Sequence, residues 1–170
     1  MTASTDSQRS ALVWTWLSAL VVAVDQLTKW FIASRFQLFE VLPLAPFLEI
    51  TRLHNTGAAF SLLAQAGGWQ RWFFIGLAGL IGPAIIWWLG TLPRRGYPWL
   101  TIGLALILGG AVGNGFDRVM NGHVVDFLHF HWGDAYFPAF NAADIAITSG
   151  AIMLIIDALL HRRRVKSAAP

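Results

Sequence analysis

The chain has no cysteine and very little charge. The first absence excludes disulfides, thiolate metal sites and thiol nucleophiles, and leaves the redox compartment open. Lys, Arg, Asp and Glu make up 12% of the 170 residues, roughly half their usual share in a soluble domain. Internal repeats and low-complexity linkers are also missing, so one domain is expected across residues 1–170. No HExxH occurs, the spacing that places two zinc ligands and a base on one helix face.

What the chain does have is apolar bulk. Hydrophobic residues reach 56%, with nine Trp and twelve Phe, and the mean hydropathy is +0.56. Four runs approach the ~20 residues that span a bilayer, at about 11–33, 72–92, 97–118 and 144–160. Pro83 inside the second predicts a kink. The expected fold is an all-α membrane protein of four transmembrane helices. A small β-containing cradle is expected within 36–70, around Phe47–Leu53, and a short loop over 121–141 on the same side.

A net charge of +3 and a pI near 10.0 invite a nucleic-acid reading. The basic residues sit next to apolar runs and form no stripe, so no nucleic-acid partner is expected. Their distribution sets topology instead. Arg9, Arg94, Arg95, Arg162, Arg163, Arg164 and Lys166 fall on one side, which is expected to be cytoplasmic with both termini. Arg35, Arg52 and Arg71 are spread more thinly on the other. The first run carries Asp25 and Lys29, lacks a small-residue cleavage site and is long, so it reads as a retained helix rather than a cleaved signal.

Polar residues inside spans are rare and tend to face a protein interior or a wet cavity. Here they share one depth. Asp25 lies ~21 Å along the first span from Ala11 at 1.5 Å per residue, and Lys29 follows one turn further on. Asn114, Asp117 and Arg118 close the third span, Asp126 comes shortly after, and Asp144 opens the fourth. Each also has a plain structural role. Asp25 and Lys29 form a possible i,i+4 ion pair, and Asp117 and Arg118 are possible interface anchors. Asn141-Ala142-Ala143-Asp144 reads as a capping box that would also satisfy the helix dipole. Asp126 sits between Val124, Val125, Phe127 and Leu128, where a lone carboxylate needs a partner or a proton.

Taken together, Asp126 and Asp144 bracket one short segment whose ends both meet the membrane surface. Two carboxylates held close share a proton. That arrangement suits peptide hydrolysis, one member acting as general base and the other polarising the carbonyl. It requires no cofactor. A rival site is His123, Asp126, His129 and His131, all potential zinc ligands, which would make the chain a metal-dependent hydrolase or metal-ion transporter. Transporter sites, however, tend to lie at the midplane within repeats.

The ordered stretches Asp25-Gln26-Leu27-Thr28-Lys29, Asn55-Thr56-Gly57-Ala58-Ala59-Phe60, Gly109-Gly110-Ala111-Val112-Gly113-Asn114, Asp117-Arg118, Val124-Val125-Asp126-Phe127 and Phe140-Asn141-Ala142-Ala143-Asp144 closely resemble the lipoprotein signal peptidase (signal peptidase II) family. The resemblance implies an aspartic endopeptidase of the bacterial cytoplasmic membrane. Its substrates would be prolipoproteins carrying a diacylglyceryl cysteine, cut just before that cysteine. It implies Asp126 and Asp144 as the catalytic pair and Asn55, Gly57, Asn114, Arg118 and Asn141 as residues that line or support the site. Asp25, Lys29 and Asp117 would be the polar framework. Membrane lipid and the cyclic peptide globomycin are the further partners it implies.

Overall fold

The computed structural model describes residues 10–57 and 67–167, with side chains described as far as residue 160. Arg9, the Ala58-Ala59-Phe60 end of one motif and the side chains of the basic tail lie outside the described residues. After a 3-10 turn at Ala11–Trp14, the elements are α1 (Thr15–Arg35), β1 (Val41–Ala45), β2 (Leu48–Asn55), α2 (Trp69–Thr91), α3 (Pro98–Asn121), β3 (Val124–Trp132), β4 (Ala135–Tyr136) and α4 (Ala142–Ser167). Four helical segments are long and apolar enough to cross a membrane, at Ala11–Arg35, Trp69–Thr91, Pro98–Asn121 and Ala142–Leu160. Their outward faces carry Leu27, Trp30, Leu80 and Trp87 exposed, a surface suited to lipid rather than water. α2 runs unbroken through Pro83.

α3 is the hub, packing against α1, α2 and α4. Pro98 opens it, where a missing N–H costs nothing. Gly122 closes it in the left-handed conformation at φ 79°. Its glycines set how closely the neighbours approach. A Cβ on Gly109 would stand 2.7 Å from the Val21 Cβ of α1, and one on Gly103 would stand 2.9 Å from the Gly150 carbonyl of α4. Such contacts allow helices to associate through van der Waals packing where no hydrophobic force separates protein from lipid. Ser18 adds a hydrogen bond across the α1–α3 contact, its hydroxyl donating to the Ala105 carbonyl at 2.8 Å. Away from the polar end, Ala11, Ile85, Leu89, Leu104 and Leu108 form the apolar core.

The expected β-leaning piece is β2. The expected loop over 121–141 is not one: it contributes β3 and β4, and all four strands form one antiparallel sheet in the order β1-β2-β3-β4. The fold is therefore four apolar helices plus a sheet, a larger β part than expected. Val124–Trp132 is rich in Val, Phe and Trp, which favour a pleated, half-buried surface, and its His and Asp residues mask that signal. β2 and β3 pair from Leu48 opposite Phe130 to Asn55 opposite Val124, and Gly133 supplies the positive φ of 56° in the turn to β4. The sheet is tied to α1 by Arg52, whose guanidinium donates to the Ala33 and Phe36 carbonyls at 3.0 and 2.9 Å. These satisfy carbonyls that the helix end would leave unpaired. β3 follows directly from α3, so the sheet's buried face meets the polar end of the helices.

Candidate active site

Lys29 is the first organiser of that end. Its ammonium donates to Asp25 Oδ2 at 2.7 Å and Asn114 Oδ1 at 2.9 Å, and it pairs with Asp117 Oδ2 at 2.8 Å. Three protons meet three acceptors, which makes a buried ammonium tolerable. Asp25, at 0% exposure, then reaches the next helix. Its Oδ1 accepts from the Ala143 N–H at 3.0 Å, inside the first turn of α4. Gly113 leaves room for this, because a Cβ there would stand 2.6 Å from Asp25 Oδ2. The i,i+4 pair is thus a three-helix joint linking α1, α3 and α4. Gln26 completes it, donating to Asp117 Oδ1 at 2.9 Å.

Asn141 and Asn114 carry the order onward to the two carboxylates. The capping box forms reciprocally: the Asp144 N–H donates to Asn141 Oδ1 at 3.0 Å, and the Asn141 N–H donates to Asp144 Oδ2 at 3.2 Å. The Asn114 amide donates to Asp144 Oδ1 at 2.8 Å. Asn141, fully buried, turns its own amide to Asp126 Oδ1 at 2.7 Å and Asn114 Oδ1 at 3.2 Å. On the sheet side, Asn55 donates to Asp126 Oδ2 at 2.9 Å, while its Oδ1 accepts from the Gly57 N–H at 2.9 Å. One asparagine therefore touches both carboxylates, and both carboxylates line one cleft.

The cleft measures about 590 Å³ and is walled by Asn55, Asn114, Arg118, Asp126 and Asp144 with Phe137–Phe140, Ile145, Ile147 and Thr148. Arg118 forms one side, its guanidinium donating to the Gly57 carbonyl at 2.7 Å and lying 4.7 Å from the Phe74 ring centroid. Asp126 is 3% exposed. Burial chiefly, and then the negative charge of Asp144, push its carboxyl from 3.8 to about 7, against the opposing pull of the Asn55 and Asn141 hydrogen bonds. It keeps a proton far into the range where an ordinary aspartate is ionised.

The residues expected at the site converge: Asp126, Asp144, Asn55, Asn114 and Arg118 on the cleft, Asn141 and Gly57 behind it, and Asp25, Lys29 and Asp117 beneath. The histidines do not. His129 pairs with Glu49 at 2.8 Å, His123 stacks on His54 with centroids 3.7 Å apart, and His131 lies against Tyr136. Strand alternation sends Asp126 and His129 to opposite faces. Among the described residues no three His, Asp or Glu converge as a metal would need. Sequence reasoning missed Gln26 and the site role of Gly113. A polar side chain inside an apolar span was the available signal for Gln26. Gly113 carried none of its own.

Helices of spanning length gathered round a cleft that holds one buried and one half-buried carboxylate compose a membrane aspartic peptidase. Comparison with known proteins narrows that class. The profile of the family described as Signal peptidase (SPase) II matches residues 17–160. A lipoprotein signal peptidase of Acinetobacter baumannii is 48% identical over 158 residues, 92% of this chain and 89% of that protein. One from Pseudomonas syringae pv. tomato is 49% identical over 148 residues, 86% of this chain and 85% of its own. A solved bacterial membrane enzyme superposes with a TM-score of 0.80 at 32% identity, covering 93% of both chains. A second reaches 0.77 at 28% identity, over 92% of this chain and 98% of the other. The chain belongs to the signal peptidase II family. It is a multi-pass membrane protein and a peptidase, and the metal-dependent alternative finds no support in these relatives.

Proposed function

We propose that Asp126 and Asp144 are the catalytic pair with which this chain cleaves the signal peptide from diacylglyceryl-modified prolipoproteins, just before the lipidated cysteine. Asn141 carries this reading: it bonds Asp126 at 2.7 Å while capping the helix that presents Asp144. Both carboxylates are thus fixed by one residue. The pair shares one proton. The ionised member removes a proton from water, whose oxygen attacks the scissile carbonyl as the protonated member donates to the carbonyl oxygen. Collapse of the tetrahedral intermediate returns that proton to the carboxylate and delivers the other to the departing amine. The C–N bond breaks, and the pair again holds one proton. Arg118 and Asn55 border the same cleft and would orient the substrate carbonyls.

The excess of Lys and Arg on the opposite side supports an active site at the outer face of the bacterial cytoplasmic membrane, termini inside. The sheet would then rest on the outer surface as a cradle. A substrate whose cysteine bears acyl chains presents its scissile bond at that depth. Globomycin, a partner implied by the resemblance, would compete for the cleft. Purified protein given a diacylglyceryl lipobox peptide should cut before the cysteine, with a strong chelator making no difference. Loss of cleavage on chelation alone would hand the chemistry to a metal.

A further inference from the structure

The cleft does not end at Phe140. Phe140 lies face to face with Phe130, centroids 5.9 Å apart at 12°, and Phe130 with Phe47 at 6.3 Å and 4°. Phe137 stands edge-on to Phe140 at 5.9 Å. Backbone hydrogen bonds hold Phe140 to β3, donating to and accepting from Leu128 at 3.0 and 2.9 Å. Beyond lies a second, open hollow of about 370 Å³ lined by Phe47, Phe130, His131, Trp132, Ala135 and Phe137. Phe137 belongs to both. Alternation along β3 puts Phe130 and Trp132 on the face that carries Asp126, with Phe130 four residues, or ~13 Å, further along. An aromatic track therefore leads from the candidate catalytic carboxylate out along the sheet.

We infer that this track binds an acyl chain of the substrate's own diacylglyceryl group, an inference that rests on the peptidase reading above. A peptide laid there would find aromatic rings where its N–H and C=O groups need partners; an aliphatic chain has none to satisfy. Continuity with the cleft favours a chain covalently attached beside the scissile bond over a free bilayer lipid. The track would give the enzyme a direct means of telling a lipidated cysteine from a bare one, because only a chain can make the van der Waals contacts that the rings offer.

The test is an acyl-length series of lipobox peptides, long-chain to butyryl, cleaved in nanodiscs by the wild type, Phe130→Ser and Trp132→Ser. Trp132 is 84% exposed, so its replacement leaves the fold intact even if Phe130→Ser does not. Shortening the chains should raise the wild-type KM on the order of 10-fold as packing contacts with the rings are lost, with kcat held. Each variant should raise KM for the long-chain peptide and lose nothing further on shortening. Equal losses at every length, a loss confined to kcat, or a variant effect that follows the nanodisc lipid instead of the substrate's chains would overturn the inference. A wild type inert toward every length would sink the peptidase reading itself.

Discussion

The two carboxylates face one cleft but are built in unlike ways. Asp144 belongs to the helical bundle: it closes a capping box at the start of α4, and the same turn is pinned through Ala143 to Asp25 and thence to Lys29. Asp126 belongs to the sheet and, among the described residues, is held by two asparagine amides. Asp144 is thus part of the helical framework, whereas Asp126 sits where burial raises its carboxyl's hold on a proton.

Substitutions can break or sharpen that contrast. The largest effect is on chemistry: Asp126→Asn and Asp144→Asn should each lower kcat by roughly 10³-fold or more, measured on a lipidated lipobox peptide. Their stabilities should part, since Asp144→Asn weakens a cap and dipole contact by about 0.5–1 kcal/mol while Asp126→Asn costs the fold little. Equal destabilisation would show the two carboxylates to be equally built into the fold. Next comes Lys29→Met, which strands Asp25 and Asp117 as buried anions and should cost about 3–5 kcal/mol, read by thermal unfolding in detergent. Gly113→Ala drives a methyl into the Asp25 carboxylate and should cost about 1–3 kcal/mol, with Ala at exposed Gly76 as the control. The remaining effect is on the pH dependence of stability. Unfolded, Asp126 releases its proton near 3.8; folded, it holds it to about 7. Across that window the native state binds more protons, so stability falls as pH rises and levels off above it. Asp126→Asn should remove that slope.

Much of this was legible in the sequence, for physical reasons. Spans show as apolar runs because lipid tolerates little else. The Asp25–Lys29 pair and the Asn141–Asp144 cap are local, so spacing alone exposes them. The sheet partner β3 was hidden because Asp126, His129 and His131 interrupt its apolar pattern, although the interruption marks one of the two carboxylates proposed as catalytic. Asn141 reads locally as a cap; its bond to Asp126 crosses 15 residues of chain and follows only from the chain returning along β3, where Phe140 pairs with Leu128, before α4 begins. Gly113 is equally silent, since its purpose is the space it leaves for a side chain on another helix.

The central claim is a single proton shared by two carboxylates at working pH. Isotope-edited infrared titration of the aspartate carboxyls tests it most directly. A protonated-carboxyl band should persist as pH rises, vanish with a midpoint near 7, and be missing from Asp126→Asn. Spectra showing both carboxylates already ionised by pH 5 would contradict the account.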